Sequence, residues 1–331
     1  MDFNAIYYEK DIENYVLGRE LLQKYSQLPM HVIESHNNIP ELRKRENSEF
    51  AKMKRHLIIG VRKTHRYVPN EKISDFLVPY TSSGCSAMCL YCYLVCNYNK
   101  CSYLRLFVNR EKMLEELIKR SNLADERKVY EIGSNSDLIL ENEITKNLEW
   151  TIEEFAKRGK GQITFPTKFA NVEPLLKLNH AQKTIFRMSV NPQEIIKTYE
   201  LKTSPLIKRI EAINLMGEAG YPVCILIAPV IFVENWERQY SDLITILAQT
   251  LSQKVRKQLR IEVIFMTYSF VHRAINSQAF PNSPELFDQT KMVGRGRGKY
   301  SYRPNIRSLG EEFIKKELEQ KLGDAEIAYI C

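Results

Sequence analysis

The chain has 331 residues, 44 % of them apolar, and a formal net charge of +8. That length holds one large domain or two ordinary ones, and that apolar content buries a substantial core. No apolar run approaches a membrane span, and the start, MDFNAIYYEKDIENY, has acids and no apolar segment of a secretory leader, so neither is expected. The basic balance favours a polyanionic partner such as nucleic acid. Lys291, Arg295, Arg297, Lys299, Arg303 and Arg307 carry much of it, with no acid among them between Asp288 and Glu311.

Residues 1–70 read as a polar, irregular N-terminal extension with one apolar stretch, HLIIGV, at 56–61. From about residue 75 the pattern alternates. Apolar runs predict strands at 76–81, 103–108, 129–133, 162–168, 185–190, 223–230 and 260–266. Helices fall between most of them. REKMLEELIKRS (110–121) places Met113, Leu114, Leu117 and Ile118 at helical spacing. Ser204 as N-cap and Pro205 at the first helical position open a helix that Gly217, Gly220 and Pro222 close. SDLITILAQTLSQKV (241–255) is a further amphipathic helix. A basic segment at 291–305 follows. A helix at 309–322 and a strand at 325–331 end the chain, within a C-terminal unit of 306–331. Alternation of this kind argues for an α/β fold with a parallel sheet, open or closed as a full or partial barrel, over 71–305.

Four of the seven cysteines lie in CSAMCLYCYLVC, residues 85–96. An odd total and this crowding suit a reducing cytosol and a metal site better than a disulfide framework. Thiolates are soft ligands for zinc, copper(I) or iron–sulfur clusters. Cys85, Cys89 and Cys92, spaced CxxxCxxC after an expected strand, would leave one iron of a 4Fe–4S cube open. The alternative is a zinc knuckle with Cys96 or Cys101 as fourth ligand.

Tyr91 completes CxxxCxΦC, which resembles the signature of the radical S-adenosylmethionine (SAM) superfamily. Further stretches carry a closer resemblance, to the spore photoproduct lyase family: IGVRKT (59–64), YCYL (91–94), TKFANVEPLL (167–176), FRMSVNP (186–192), TSPLIKRIEA (203–212), AGYPVCILIAP (219–229) and GKYSY (298–302). They are collinear with the family over nearly the whole chain. The resemblance implies a partial (β/α)6 barrel and a carbon–carbon lyase that repairs the methylene-bridged thymine dimer in ultraviolet-damaged spore DNA. It implies a cluster held by Cys85, Cys89 and Cys92, with SAM on the open iron cleaved to a 5′-deoxyadenosyl radical. Ser136, Asp137, Lys168, Ser189 and Asn191 match positions that contact SAM. Tyr91 and Tyr93 match a radical-handling pair. Arg295, Arg297, Lys299, Tyr300 and Tyr302 fall on a hairpin that reaches damaged DNA. An external electron donor of flavodoxin or ferredoxin type, a cytoplasmic place in the spore core and no membrane partner follow from the same likeness.

Two departures stand out. The hairpin differs from the family around Gly294 to Arg297. The best-known members also carry a hydrogen-donating cysteine just before the Ser-Asp pair, where EIGSNSD has Ser134. A serine O–H bond is much stronger than a thiol S–H bond. Either another group donates the hydrogen atom, or the chain acts on a different lesion, or the tyrosines and recovered SAM do the quenching. Among donors Cys96, just past YCYL, is the first expectation, with Cys101 next and Cys331 a more distant option. Cys224 reads as core.

Overall fold

The computed structural model describes residues 2–97 and 103–331, and for Cys96 and Asn97 the backbone alone. The main sheet is mostly parallel. Its strands run in the order Glu326–Ile330, Arg260–Phe265, Val223–Val230, Thr184–Val190, Gln162–Thr167, Val129–Glu131, Phe76–Leu77 and Val68–Pro69, the last pair antiparallel. Curled over its helices, it makes the expected partial barrel. TIFRMSV is buried at every position, as a central parallel strand covered on both faces must be. Arg187 within it is held by two parallel bonds of 2.7 Å to Glu262, with Glu131 on its other side. A guanidinium survives burial only when answered in this way.

Helix Arg110–Leu123 buries Met113, Leu114, Leu117 and Ile118, the stripe its spacing predicts. The next expected cap is displaced. Helix Leu206–Glu218 begins after Pro205, because the Ser204 hydroxyl instead accepts the Ala170 amide at 3.0 Å. Gln193 Oε1 takes the Leu206 amide in its place, at 2.8 Å. The helix expected at 241–255 is Trp236–Thr250, followed by the short helix Gln253–Arg256, capped by Ser252. The last helix starts earlier than expected, at Pro304.

The first 70 residues are more regular than they read. Ala5–Glu9, Met30–Ile33 and His56–Gly60 form a parallel sheet, which Arg105–Phe107 and Ser82–Ser83 extend. The strand expected at 103–108 thus pairs with HLIIG and not with the barrel. Ile6, Leu57, Ile59 and Leu106 pack on one face, Tyr7 and Ile58 on the other. A run apolar on both faces fits either sheet equally, so its pattern alone could not choose. No helix among the described residues is long and apolar enough to cross a membrane.

Candidate active site

The C-terminal ends of the barrel strands surround a cavity of about 310 Å³. The cysteine loop forms one wall, with Cys85, Cys89 and Cys92 all lining the space. Gly84, at φ +79°, turns the chain into the loop, and its N–H donates to Asn135 O at 2.8 Å. Met88–Cys89 then pairs antiparallel with Glu200–Leu201. Side chains from elsewhere hold three carbonyls of the loop. Lys54 Nζ donates to Cys85 O at 2.7 Å, Asn276 Nδ2 to Leu90 O at 2.8 Å, and His272 Nε2 to Cys92 O at 3.1 Å.

Burial pushes the Cys85 thiol up to about 12 and the Cys89 thiol above its ordinary value. These two thiols stay protonated until a cation replaces the proton, and three cysteines lining one space suit a soft metal. Ser136, Asp137, Lys168 and Ser189 line the same space. Asp137 already has structural work. It caps helix Leu138–Thr145 through the Ile139 amide, and it accepts from Thr167 Oγ1 and the Lys168 amide. Burial still raises its pKa, to about 6. Ser136 Oγ lies 2.6 Å from Ser82 Oγ. Lys168 Nζ is triply engaged, by Ser189 Oγ at 2.6 Å and by Glu200 Oε1 and Ala228 O at 3.0 Å each. Asn191 stands apart. It is fully buried behind the wall, donating to Glu200 Oε1 at 2.8 Å, and it does not line the cavity.

The sequence reading missed Glu200. This 1 %-exposed carboxylate accepts from Arg209 at 2.6 Å, Lys168, Asn191 and the Tyr91 hydroxyl. Burial alone would raise its pKa, but Arg209, then Lys168 and the hydrogen bonds, hold it at about 2. Arg209 lies inside TSPLIKRIEA, so that stretch held half of the signal. Its partner, nine positions earlier, has nothing local to mark it.

Tyr91 and Tyr93 both line the cavity. Tyr91 donates a hydrogen bond to Glu200, and Tyr93, 51 % exposed, donates to the Ser134 carbonyl. Ser134 itself lines the cavity. Cys96 lies on the short helix Leu94–Asn97, which begins at the cavity wall, but its side chain is outside the described residues, as is all of Cys101. Cys224 is core, as read, and Cys331 meets Lys72 Nζ at 3.1 Å.

On the far rim, Thr267–Ser269 leaves the cavity wall and pairs with Lys299–Tyr302, which pairs in turn with Met292–Gly294. Gly296, Arg297 and Gly298 turn this hairpin with positive φ. Arg295, Arg297 and Lys299 are exposed at its tip. The two tyrosines separate. Tyr300 is partly exposed against Phe270 and Phe287. Tyr302 is 5 % exposed, packs on Phe232 at 4.3 Å and accepts the Phe232 amide at 3.0 Å. Tyr302 anchors the hairpin in the core, where its ring presents no face to a base.

Comparison with known proteins agrees with this geometry. The family model for spore photoproduct lyase matches residues 2–331. Spore photoproduct lyase of Bacillus subtilis (strain 168) is 32 % identical over 98 % of this chain and 97 % of its own. That of Clostridium acetobutylicum is 29 % identical over 99 % and 98 %. A solved spore photoproduct lyase mutant with bound AdoMet and dinucleoside spore photoproduct superposes with a TM-score of 0.92 at 28 % identity, covering 99 % of both chains. Another, complexed with dinucleoside spore photoproduct, gives 0.91 at the same identity and coverage. The chain belongs to the spore photoproduct lyase family.

Proposed function

We propose that this chain is a radical-SAM lyase that reverts the spore photoproduct, the methylene-bridged thymine dimer, to two thymines. The observation that carries this reading is the cavity itself, which the three thiols of CxxxCxxC share with Lys168, Ser189 and Ser136 at the ends of parallel strands. Cys85, Cys89 and Cys92 would hold a 4Fe–4S cluster. A cube takes one thiolate at each of three irons, whereas zinc gathers every ligand about one centre. Among the described residues no three His, Cys, Asp or Glu side chains gather about one point as a single zinc ion needs, so the three lining thiols suit the cube better. When bound together there, cluster and SAM would supply the chemistry of a 5′-deoxyadenosyl radical, able to take hydrogen from C6 of the lesion.

The protein's own part is orientation and containment. Lys168 has a cationic head at the cavity wall, where exchanging the Ala228 carbonyl for the SAM carboxylate would strengthen its bond. Ser189 and Ser136 add short hydroxyls. Asp137, at the cavity wall, fixes the Lys168 amide, and Asn191, behind it, fixes Glu200. Glu200 fixes the Tyr91 phenol by accepting its hydrogen bond, which keeps the proton on the phenol. The apolar side chains of Leu226, Ile264, Phe265 and Met266 keep water from a radical. The exposed Arg295, Arg297 and Lys299 would neutralise phosphates of the damaged duplex, with Tyr300 beside a flipped base. The electron would come from a flavodoxin- or ferredoxin-type donor, in the cytoplasm of the spore core.

Ser134 cannot readily quench the product thymine radical, so Cys96 takes that step, with Tyr91 or Tyr93 closing the cycle. The same residue motivates a second reading, a radical-SAM enzyme for a different nucleobase lesion. Incubating reduced, cluster-loaded protein with SAM and dinucleoside spore photoproduct without oxygen decides between them. Two thymidines are expected. SAM cleavage without thymidine release would favour the second reading, and colourless zinc protein would reject both.

A further inference from the structure

Beside the cavity lies a second cleft, of about 280 Å³, which the chemistry above does not use. Arg62, Lys63, Arg66 and Arg105 line it, together with Ser83 and Asn135. It sits where the N-terminal sheet meets the barrel. Arg62 follows strand His56–Gly60, and Asn135 follows Val129–Glu131, so both leave the C-terminal ends of parallel strands.

The two spaces share one wall. Ser83 lines the cleft, and Cys85, two residues on, lines the cavity. Asn135 lines the cleft, and its neighbours Ser134 and Ser136 line the cavity. Two residues of extended chain span about 7 Å. The hairpin flanks the cavity from the other side, after Thr267–Ser269.

The cleft is built for an oxyanion. Its one carboxylate, Glu9, is spent on the His36 amide and ring at 2.9 and 2.8 Å and on the Val61 amide at 2.9 Å. Four cationic side chains therefore outweigh it. Arg62 is set in place, its Nε donating to Tyr80 O at 2.8 Å and its guanidinium lying 3.9 Å from the centre of the Phe107 ring. A fixed guanidinium fork matches the geometry of a phosphate. Ser83 adds a separate signal. It is 2 % exposed, and its buried hydroxyl has no hydrogen-bond partner among the described residues. Such a group is costly unless a ligand answers it.

We propose that this cleft holds a backbone phosphate of the damaged strand, within one or two nucleotides of the lesion on the side away from the hairpin. It rests on the reading that the lesion is taken from DNA. IGVRKT, with Arg62, Lys63 and Thr64, is then a phosphate-binding motif.

The test is binding of a lesion-bearing oligonucleotide, read by fluorescence anisotropy across a salt series. Lys63→Ala with Arg66→Ala, both on exposed positions, and separately Arg62→Gln are compared with the unaltered protein, with thermal melting as the check on folding. Each is expected to weaken binding about tenfold and to lower the salt slope by about one for every phosphate interaction removed. A neutral methylphosphonate at one linkage beside the lesion should reproduce the loss in the unaltered protein and add nothing in Arg62→Gln. Unchanged affinity and slope in folded variants, equal sensitivity at every linkage, or no binding by the unaltered protein overturns the proposal. Binding is read without turnover, so a protein that binds the oligonucleotide yet releases no thymine counts against the lyase reading alone.

Discussion

Glu200→Gln is the sharpest perturbation of the site. The two side chains have the same shape, so packing is conserved and only charge and donor pattern change. Oε1 faces Tyr91, Lys168 and Asn191, and Oε2 faces Arg209 at 2.6 Å. All four partners donate, so an amide NH2 meets another donor in either orientation. Arg209 is fully buried and loses its counter-charge. Removing one partner of such a pair costs about 3–5 kcal/mol, against a total stability of roughly 5–15 kcal/mol for a folded protein. Urea unfolding of the metal-free protein under anaerobic conditions measures the loss. The backbone pairing of Glu200 with Cys89 couples it to the cysteine loop, so iron uptake after reconstitution should fall as well. A loss below about 1 kcal/mol, with full iron uptake, would refute the claim that this network holds the wall of the cavity.

Other expectations test separate parts of the molecule. A Cβ on Gly310 would stand 2.5 Å from Phe232 Cζ and 2.9 Å from Phe265 Cε1. Gly310→Val should therefore cost about 1–3 kcal/mol by overpacking, seen as a lowered melting temperature, and an unchanged melt would contradict the packing. Burial alone would raise the Glu9 carboxyl, but hydrogen bonds from His36 and Val61 outweigh it and hold it at about 2, below the ordinary 4.5. Its stabilisation is then complete above pH 4.5 and lost as pH falls toward 2. Glu9→Gln should flatten the acid loss of stability in that window, and parallel curves for the two proteins would remove Glu9 as its source. Cys96→Ala should keep its iron yet leave trapped by-products in place of clean dimer reversal, whereas normal product would exclude Cys96 as the donor.

What could be read from the chain beforehand followed the range of each signal. CxxxCxxC is local, and the strand–helix alternation repeats often enough to give a parallel α/β sheet, while its closure into a partial barrel was legible only through the family resemblance. The helix at 110–123 announced itself because its four apolar positions share one face. Where the deciding contact is distant, the pattern was silent. Ser204 looks like a cap until Ala170 is brought to it. Residues 105–107 look like a barrel strand until HLIIG proves the nearer partner. Tyr302 alternates with Tyr300, but only packing on Phe232 places its ring inside. Glu200 is invisible alone, because a lone acid before a helix is normally solvated. Its meaning comes from Arg209, Lys168 and Tyr91 arriving from three separate segments.

The central claim is hydrogen removal from the lesion within this cavity. The direct measurement uses dinucleoside spore photoproduct deuterated at C6, incubated anaerobically with SAM and the reduced, cluster-loaded protein. The account predicts two thymidines, with deuterium recovered in 5′-deoxyadenosine or SAM. Thymidine release with no deuterium transferred, or SAM cleavage that leaves the lesion intact, would contradict it.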